Sequence, residues 1–441
     1  MCTLATKSEV EISMPADDHS DRHAGPARLA SFWVVLAGVF NVVARIPFPL
    51  RLPFSPYYVS APFVGFFLFL SSPGFRLRLV YFSVVMVWAW FAGYLFGTSI
   101  TVMASQSLFM LFALISIETI VNWSIKSPNF PIESERIFDL ISALVILLFI
   151  IQTILDFDFP GTGGYRRYKM STSLFFTPND MALFLSVYIL LIISGKKPII
   201  IKCAVCFLIL AINKYNDANL ALASNAIAIS IAIFLRIFRQ FRFPLIWLIF
   251  FVSIPAAFIP LTVVKFGRNS AGNIFEAIWR IFTLNRFHLK GSIYDRTDAL
   301  IIGVTEFGKS NFLGLGPGGS VQALSKEGNL LYSAKSLHNG LAELFFELGP
   351  VFILPFMIIV SINVIRLIGR PRLSKEDAAV FTLIVSLPLM AMVQSAGFMS
   401  NYAFWTCAAT VWARSRVVSG ANWMPQKISP SADFHDSIGP A

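Results

Sequence analysis

The sequence predicts an all-α, polytopic membrane protein, and three observations carry that class. The chain of 441 residues is 56% hydrophobic and only 13% charged, too few polar side chains to cover a soluble body of this length. Its apolar runs recur at lengths near twenty residues, which suit helices crossing a bilayer. The short alternating segments that a transmembrane β-barrel requires are missing from the sequence pattern.

The apolar runs place about twelve spans, at 30–46, 57–73, 79–97, 101–122, 137–155, 174–194, 198–213, 219–238, 243–264, 345–367, 379–397 and 401–417. The chain then divides into an N-terminal tail (1–28), helices 1–9 (29–264), a large polar loop (265–337), helices 10–12 (338–418) and a C-terminal tail (419–441). The N-terminal tail is polar and lacks the basic start and apolar core of a signal peptide. Within the large loop, Ile274, Phe275, Ile278, Ile281 and Phe282 recur at helical spacing and predict an amphipathic helix lying on the membrane surface. A second loop helix is expected from Asp295 to about Lys309, followed by a glycine-rich turn.

Charge placement orients the spans. With a cytosolic N-terminus, 20 Lys and Arg fall on the cytosolic side and 6 on the short loops opposite, so both termini are expected in the cytosol and the large loop outside. The net charge of +11 is spread over short loops between spans, which argues against nucleic acid as a partner. Cys203 and Cys206 form a CxxC inside an apolar run without His or carboxylate neighbours, a pattern of helix packing rather than of metal binding. Internal repeats of the kind found in duplicated transporter folds are not evident.

Residues with chemical capacity concentrate around the large loop. His338 stands where that loop re-enters the membrane, and its imidazole suits proton transfer near neutral pH or, alternatively, a helix cap shared with Asn339. Glu343 and Glu347 lie four apart on one helical face, positioned to orient His338, to pair with arginine, or to form a wet face above the bilayer. Arg296, together with Arg166 and Arg167 from another outer loop, suits forked contacts to phosphate oxygens or lipid headgroups. Gly314-Leu-Gly-Pro-Gly-Gly319 lacks the preceding strand and the Lys-Ser/Thr of a P-loop; a sharp turn with anion-binding N–H groups is expected instead. Asp156-Phe157-Asp158 has a DxD spacing but falls at the outer end of a span. Thr177-Pro178-Asn179-Asp180 reads as a break inside the sixth span that faces a cavity. Glu118 and Asp180 are the buried acids a transporter would use, and neither has an evident partner in the sequence.

In this order, Arg296, Gly314/Gly316, His338-Asn339 and Glu347-Leu-Gly349 resemble the pattern of the O-antigen ligase and O-antigen (exopolysaccharide) polymerase superfamily of bacterial membrane glycosyltransferases. Asn179 matches the polar position of a Phe-x-x-Pro-Asn segment, and Arg166 or Arg167 stands where that family carries a second arginine. Gly340-Leu341 departs from it, since an aromatic often follows His-Asn there. The resemblance covers about a third of the chain. It implies a metal-independent inverting glycosyltransferase without cofactor, acting at the outer side of the bacterial inner membrane. Its donor would be an undecaprenyl-diphosphate-linked glycan and its acceptor a glycan or a lipid-linked saccharide. His338 and Arg296 would be catalytic, and Arg166, Arg167, Asn179, Asn339, Glu347 and Gly316 would bind substrate. Membrane lipids and other polysaccharide export components are the further partners implied. Polymerisation of repeat units is preferred over ligation to lipid A core, and a lipid-linked-glycan flippase is the alternative from another class.

Overall fold

The computed structural model describes residues 26, 28–36, 56–159, 169–175, 177–237, 283, 292–326, 337, 339–368, 373–393 and 398–418. All regular structure among them is helical. After a short helix α1 (28–36) come α2 (Pro56–Ser71), α3 (Pro73–Phe96), α4 (Ile100–Lys126), α5 (Phe130–Leu155), α6 (Pro178–Ser194), α7 (Ile199–Tyr215) and α8 (Asn219–Ile237). The chain continues through α9 (Ser292–Lys309), α10 (Gly319–Lys326), α11 (Gly340–Leu348), α12 (Pro350–Ile368), α13 (Lys375–Val393) and α14 (Tyr402–Val418). Among these, α3, α4, α5, α12 and α13 are long and apolar enough to cross a membrane; α2, α6 and α8 are shorter apolar helices.

Local chemistry sets the helix ends. At α3, the Ser72 side chain accepts from the Phe75 amide at 3.3 Å and Pro73 opens the helix, while Gly97 closes it in a left-handed conformation. At α13, Ser374 and Asp377 exchange side-chain and backbone bonds at 3.0 and 3.4 Å, a reciprocal capping box. The sixth span differs from its expected bounds. Helix α6 starts at Pro178, with Thr177 as its N-cap accepting from the Asp180 amide at 3.1 Å. The polar group at 177–180 is therefore a helix start rather than a break inside a helix. The tenth span also differs: Gly349-Pro350 splits it into α11 and α12, with Gly349 at φ 66°.

Helix α6 is the centre of the bundle. Met181 through Ile192 are all buried there, under α5, α7, α8, α13 and α14. Its tightest surroundings come from α8 and α13, and α8 turns the small residues Ala221, Ser224 and Ala228 inward, which lets backbones approach closely where lipid offers no drive to associate. Helix α12, by contrast, leaves Leu354, Ile358 and Ile365 exposed, as a lipid-facing helix does.

The two ends of the bundle differ in chemistry. At one end Arg28 pairs with Glu133 at 3.0 Å, Arg414 with Glu135 at 3.3 Å, and Asp139 accepts from Tyr188 at 2.8 Å while pairing with Lys197. Lys202 donates to the Ile193 and Gly195 carbonyls at 2.8 and 2.6 Å, closing the C-terminus of α6. Arg78 donates to Glu118 at 2.6 Å, so this buried acid has a partner forty residues away. At the other end of the bundle the Asp180 amide donates to the Thr177 hydroxyl, while its carboxylate Oδ1 is buried with no partner among the described residues. The sequence offered no evident partner for either acid; the packing of α3 on α4 supplies one for Glu118. The opposite end carries the candidate site.

Candidate functional site

The site is assembled from helix ends and turns at that opposite end. Ser171 and Asn216 exchange two bonds, at 3.0 and 2.7 Å, tying the segment before α6 to the end of α7. Asn401, which caps α14 through the Phe404 amide at 3.1 Å, also donates to the Asp180 carbonyl at 3.3 Å. Helix α11 packs against 398–400 and α13, and α9 and α10 close over it.

The glycine-rich turn is the keystone. Leu315 donates its amide to the Phe346 carbonyl at 2.8 Å and Gly316 to the Glu347 carbonyl at 3.0 Å, so the turn lies along the C-terminal half of α11. On its other side it rests on the tip between α3 and α4. The Trp88 indole donates to the Leu313 carbonyl at 3.0 Å and the Thr98 hydroxyl to the Leu315 carbonyl at 2.7 Å. Gln322 grips that tip with both ends of its amide, donating to the Gly97 carbonyl at 2.8 Å and accepting from the Ser99 amide at 2.7 Å. Glycine is required where backbones touch. A Cβ on Gly316 would sit 2.4 Å from the Gly93 Cα, with φ already at 77°.

Glu347 is part of this docking. Its carboxylate accepts from the Ser320 hydroxyl and from the backbone N–H groups of Gly318 and Ser320, at the N-terminus of α10. The turn directs its N–H groups at a carboxyl of the same protein rather than leaving them open to a ligand. Glu347 is 1% exposed and Glu343 8%. Of the readings open for Glu343, the wet face is excluded, because α9, α10 and α13 cover α11. Helix α11 ends at Gly349, before the membrane-spanning α12 begins. Burial pushes the Glu347 carboxyl up to about 7 against the pull of its three donors. Glu343 is pushed well above the usual carboxylate range, by burial first and then by the charge of Glu347.

Arg296, on the first half of α9, donates through Nη1 to the Met392 carbonyl at the end of α13. This bond orients a half-buried guanidinium at the bundle end, and with five donors in its fork the group has capacity for more than one oxygen. Asn339 is the N-cap of α11, its side chain accepting from the Ala342 amide at 3.1 Å. Asn179 lies in the first turn of α6 beside Asp180. Asp156 ends α5 in a left-handed conformation. Cys203 and Cys206 are free thiols on α7. Arg166, Arg167, His338, the expected span at 243–264 and the surface helix at 274–282 lie outside the described residues.

Structure thus brings Arg296, Gly316, Asn339 and Glu347 into one assembly. Sequence reasoning missed Trp88, Thr98, Ser320 and Gln322, which hold it together. Gln322 and Thr98 meet their partners across more than two hundred residues, and no local pattern announces such a pairing. Ser320 stands directly after the glycines, but nothing in the sequence pairs its hydroxyl with Glu347.

The fold and this assembly define an α-helical membrane protein with a polar cap built on one end of its bundle. No protein-family model matches the chain, and the search of curated proteins finds no match either.

Proposed function

We propose that this protein transfers or polymerises undecaprenyl-diphosphate-linked glycan repeat units at the outer side of the bacterial inner membrane, in the biosynthesis of O-antigen or exopolysaccharide. The observation that carries the reading is the convergence of Arg296, the Gly314–Gly319 turn, Asn339 and Glu347 on one end of a membrane helix bundle, residues first picked out by their resemblance to the O-antigen ligase and polymerase pattern.

In this reading Arg296 faces the diphosphate of the donor. Its fork stabilises the charge that gathers on the leaving group as the glycosidic bond breaks. The acceptor hydroxyl attacks the anomeric carbon, the diphosphate leaves on its lipid, and the hydroxyl proton passes to His338 as general base. Asn339 fixes the start of α11, and with it the backbone next to His338. Glu347 acts by holding the turn in place rather than by touching sugar, a change from the substrate contact expected of it. Arg166, Arg167 and Asn179 are assigned to donor binding by resemblance. A single acceptor chemistry, a sugar hydroxyl, serves both polymerisation and ligation to lipid A core; polymerisation is preferred because nothing in the chain points to a lipid A acceptor.

The test is transfer from a purified lipid-diphosphate glycan in detergent, where transport cannot occur. His338→Ala is expected to lower the rate by about 100-fold, the usual loss of a general base, with donor binding retained. Glycan transfer by wild type and by His338→Ala at equal rates would remove His338 from the mechanism. No transfer by folded wild-type protein, with donor movement across vesicles instead, would favour the flippase.

A further inference from the structure

Glu343 and Glu347 are two buried carboxyls one helical turn apart on α11, so their Cβ atoms are neighbours on one face. Among the described residues neither forms an ion pair. Glu347 has three donors, all from the stretch 318–320; Glu343 has none of these. Two like charges in such a place repel each other and both lose hydration.

We infer that Glu343 and Glu347 form a proton-held clasp, which keeps the Gly314–Gly319 turn docked on α11 while the pair carries protons and loosens it when they are lost.

Among the described residues no other charged group pairs with either carboxyl. On α9, Lys309 pairs with Glu306, Arg296 is anchored at Met392, and Asp298 lies half a turn past Arg296. Arg76 and Arg78 on α3, Arg366 on α12, and Lys375, Glu376 and Asp377 on α13 lie at the opposite end of the bundle. Tyr81 of α3 donates to the Val351 carbonyl, Tyr94 points outward, Lys326 is the last residue of α10, and 398–400 carries no titratable group. His338 stands next to the cap of α11 in sequence. Among the described residues the charge acting on Glu343 is that of Glu347.

The direction follows from proton linkage. Release of the turn takes Ser320 and the 318–320 amides away and exposes both carboxyls to water, where they titrate near 4.5. Docked, both hold protons to higher pH. Protons therefore favour the docked state, and docking weakens as pH rises from about 4.5 through the raised values. Burial raises both carboxyls and the donors at 318–320 pull Glu347 back down, so the pair gives up its protons in coupled steps as the pH rises.

Hydrogen exchange of the full chain in nanodiscs tests this without reference to any reaction. The readout is protection of the peptide spanning 313–322, corrected for intrinsic exchange and referenced to the start of α5. Protection in wild type is expected to fall between pH 5.5 and 8.5, by up to about tenfold per pH unit for each proton released. The neutral pair E343Q/E347Q keeps the shape without the charge and is expected to show flat protection, and E343Q alone a shallower fall. Flat protection in wild type would overturn the clasp, whether or not the variants fold. So would an equally steep fall in E343Q/E347Q.

Discussion

At the residue scale, function rests on what each charged side chain already touches. Arg296 is not a loose loop cation. Its bond to the Met392 carbonyl anchors the guanidinium at the end of α13, and the proposed reaction assigns this group to the oxygens of the diphosphate. A lysine offers a point charge on a flexible stem and cannot repeat that geometry. In the proposed transfer reaction, Arg296→Ala is expected to cost at least about 100-fold in rate, as loss of a preorganised charge stabiliser does, and Arg296→Lys to recover less than a tenth of the loss. Arg366→Ala, at the far end of α12, serves as the mild control. Steady-state transfer rates at saturating donor decide it, and a fully active Arg296→Lys would reduce the arginine to a helix anchor. The arginine and the glutamate were legible in the sequence because charge stands out in an apolar chain. Their partners were not. The Met392 carbonyl and the Ser320 hydroxyl carry no compositional signal, and a buried carboxylate looks the same in sequence whether it meets a substrate or its own backbone.

At the scale of elements, the decisive contact is between two glycines far apart in the chain, Gly93 on α3 and Gly316 in the turn. Any side chain at Gly316 meets the Gly93 Cα at 2.4 Å and the Ala89 carbonyl at 3.1 Å, both backbone atoms that cannot swing aside, and φ is 77°. Gly316→Ala is therefore expected to destabilise by more than the ~1 kcal/mol that a positive φ alone costs and to free the turn to proteolysis. Gly308, near the end of α9, has open space where its Cβ would be. Gly308→Ala is expected to stabilise by up to about 1 kcal/mol through helix propensity. Thermal unfolding in one detergent compares the pair; a neutral Gly316→Ala would mean that the turn does not rest on α3. Most helices were readable from apolar length: α7, α8, α13 and α14 begin and end within a few residues of the runs that announced them. The errors at α6 and α11 have one cause. Apolar residues continue across Thr177-Pro178 and across Gly349-Pro350, so hydropathy merged what capping chemistry divides. The Pro at the first helical position was the signal in both.

At the scale of the whole molecule, the bundle is polarised. One end is tied by ion pairs, Arg28 with Glu133 and Arg414 with Glu135; the other by neutral amide and hydroxyl bonds around a buried acidic pair. Helices α3 and α4, joined by the short turn at Gly97–Ser99, run in opposite directions, which puts the glycine-rich turn on the side where α3 ends. The Lys and Arg excess lies on the other side, where α3 begins and α13 starts. The positive-inside rule predicts that side to be cytosolic; in the proposed reaction the candidate site then faces out, where a lipid-diphosphate glycan would be presented. Labelling tests this directly. In a background lacking Cys2, Cys203, Cys206 and Cys407, Lys309→Cys and Lys375→Cys each place a thiol on an exposed position, one at each end. With the outer membrane permeabilised, a membrane-impermeant maleimide is expected to label the first in intact cells and the second only after the inner membrane is opened. The reverse pattern would turn the candidate site toward the cytosol. Nucleotide-activated sugars would then be the available donors, and Arg296 would lose the lipid-linked diphosphate that the proposed reaction assigns to it.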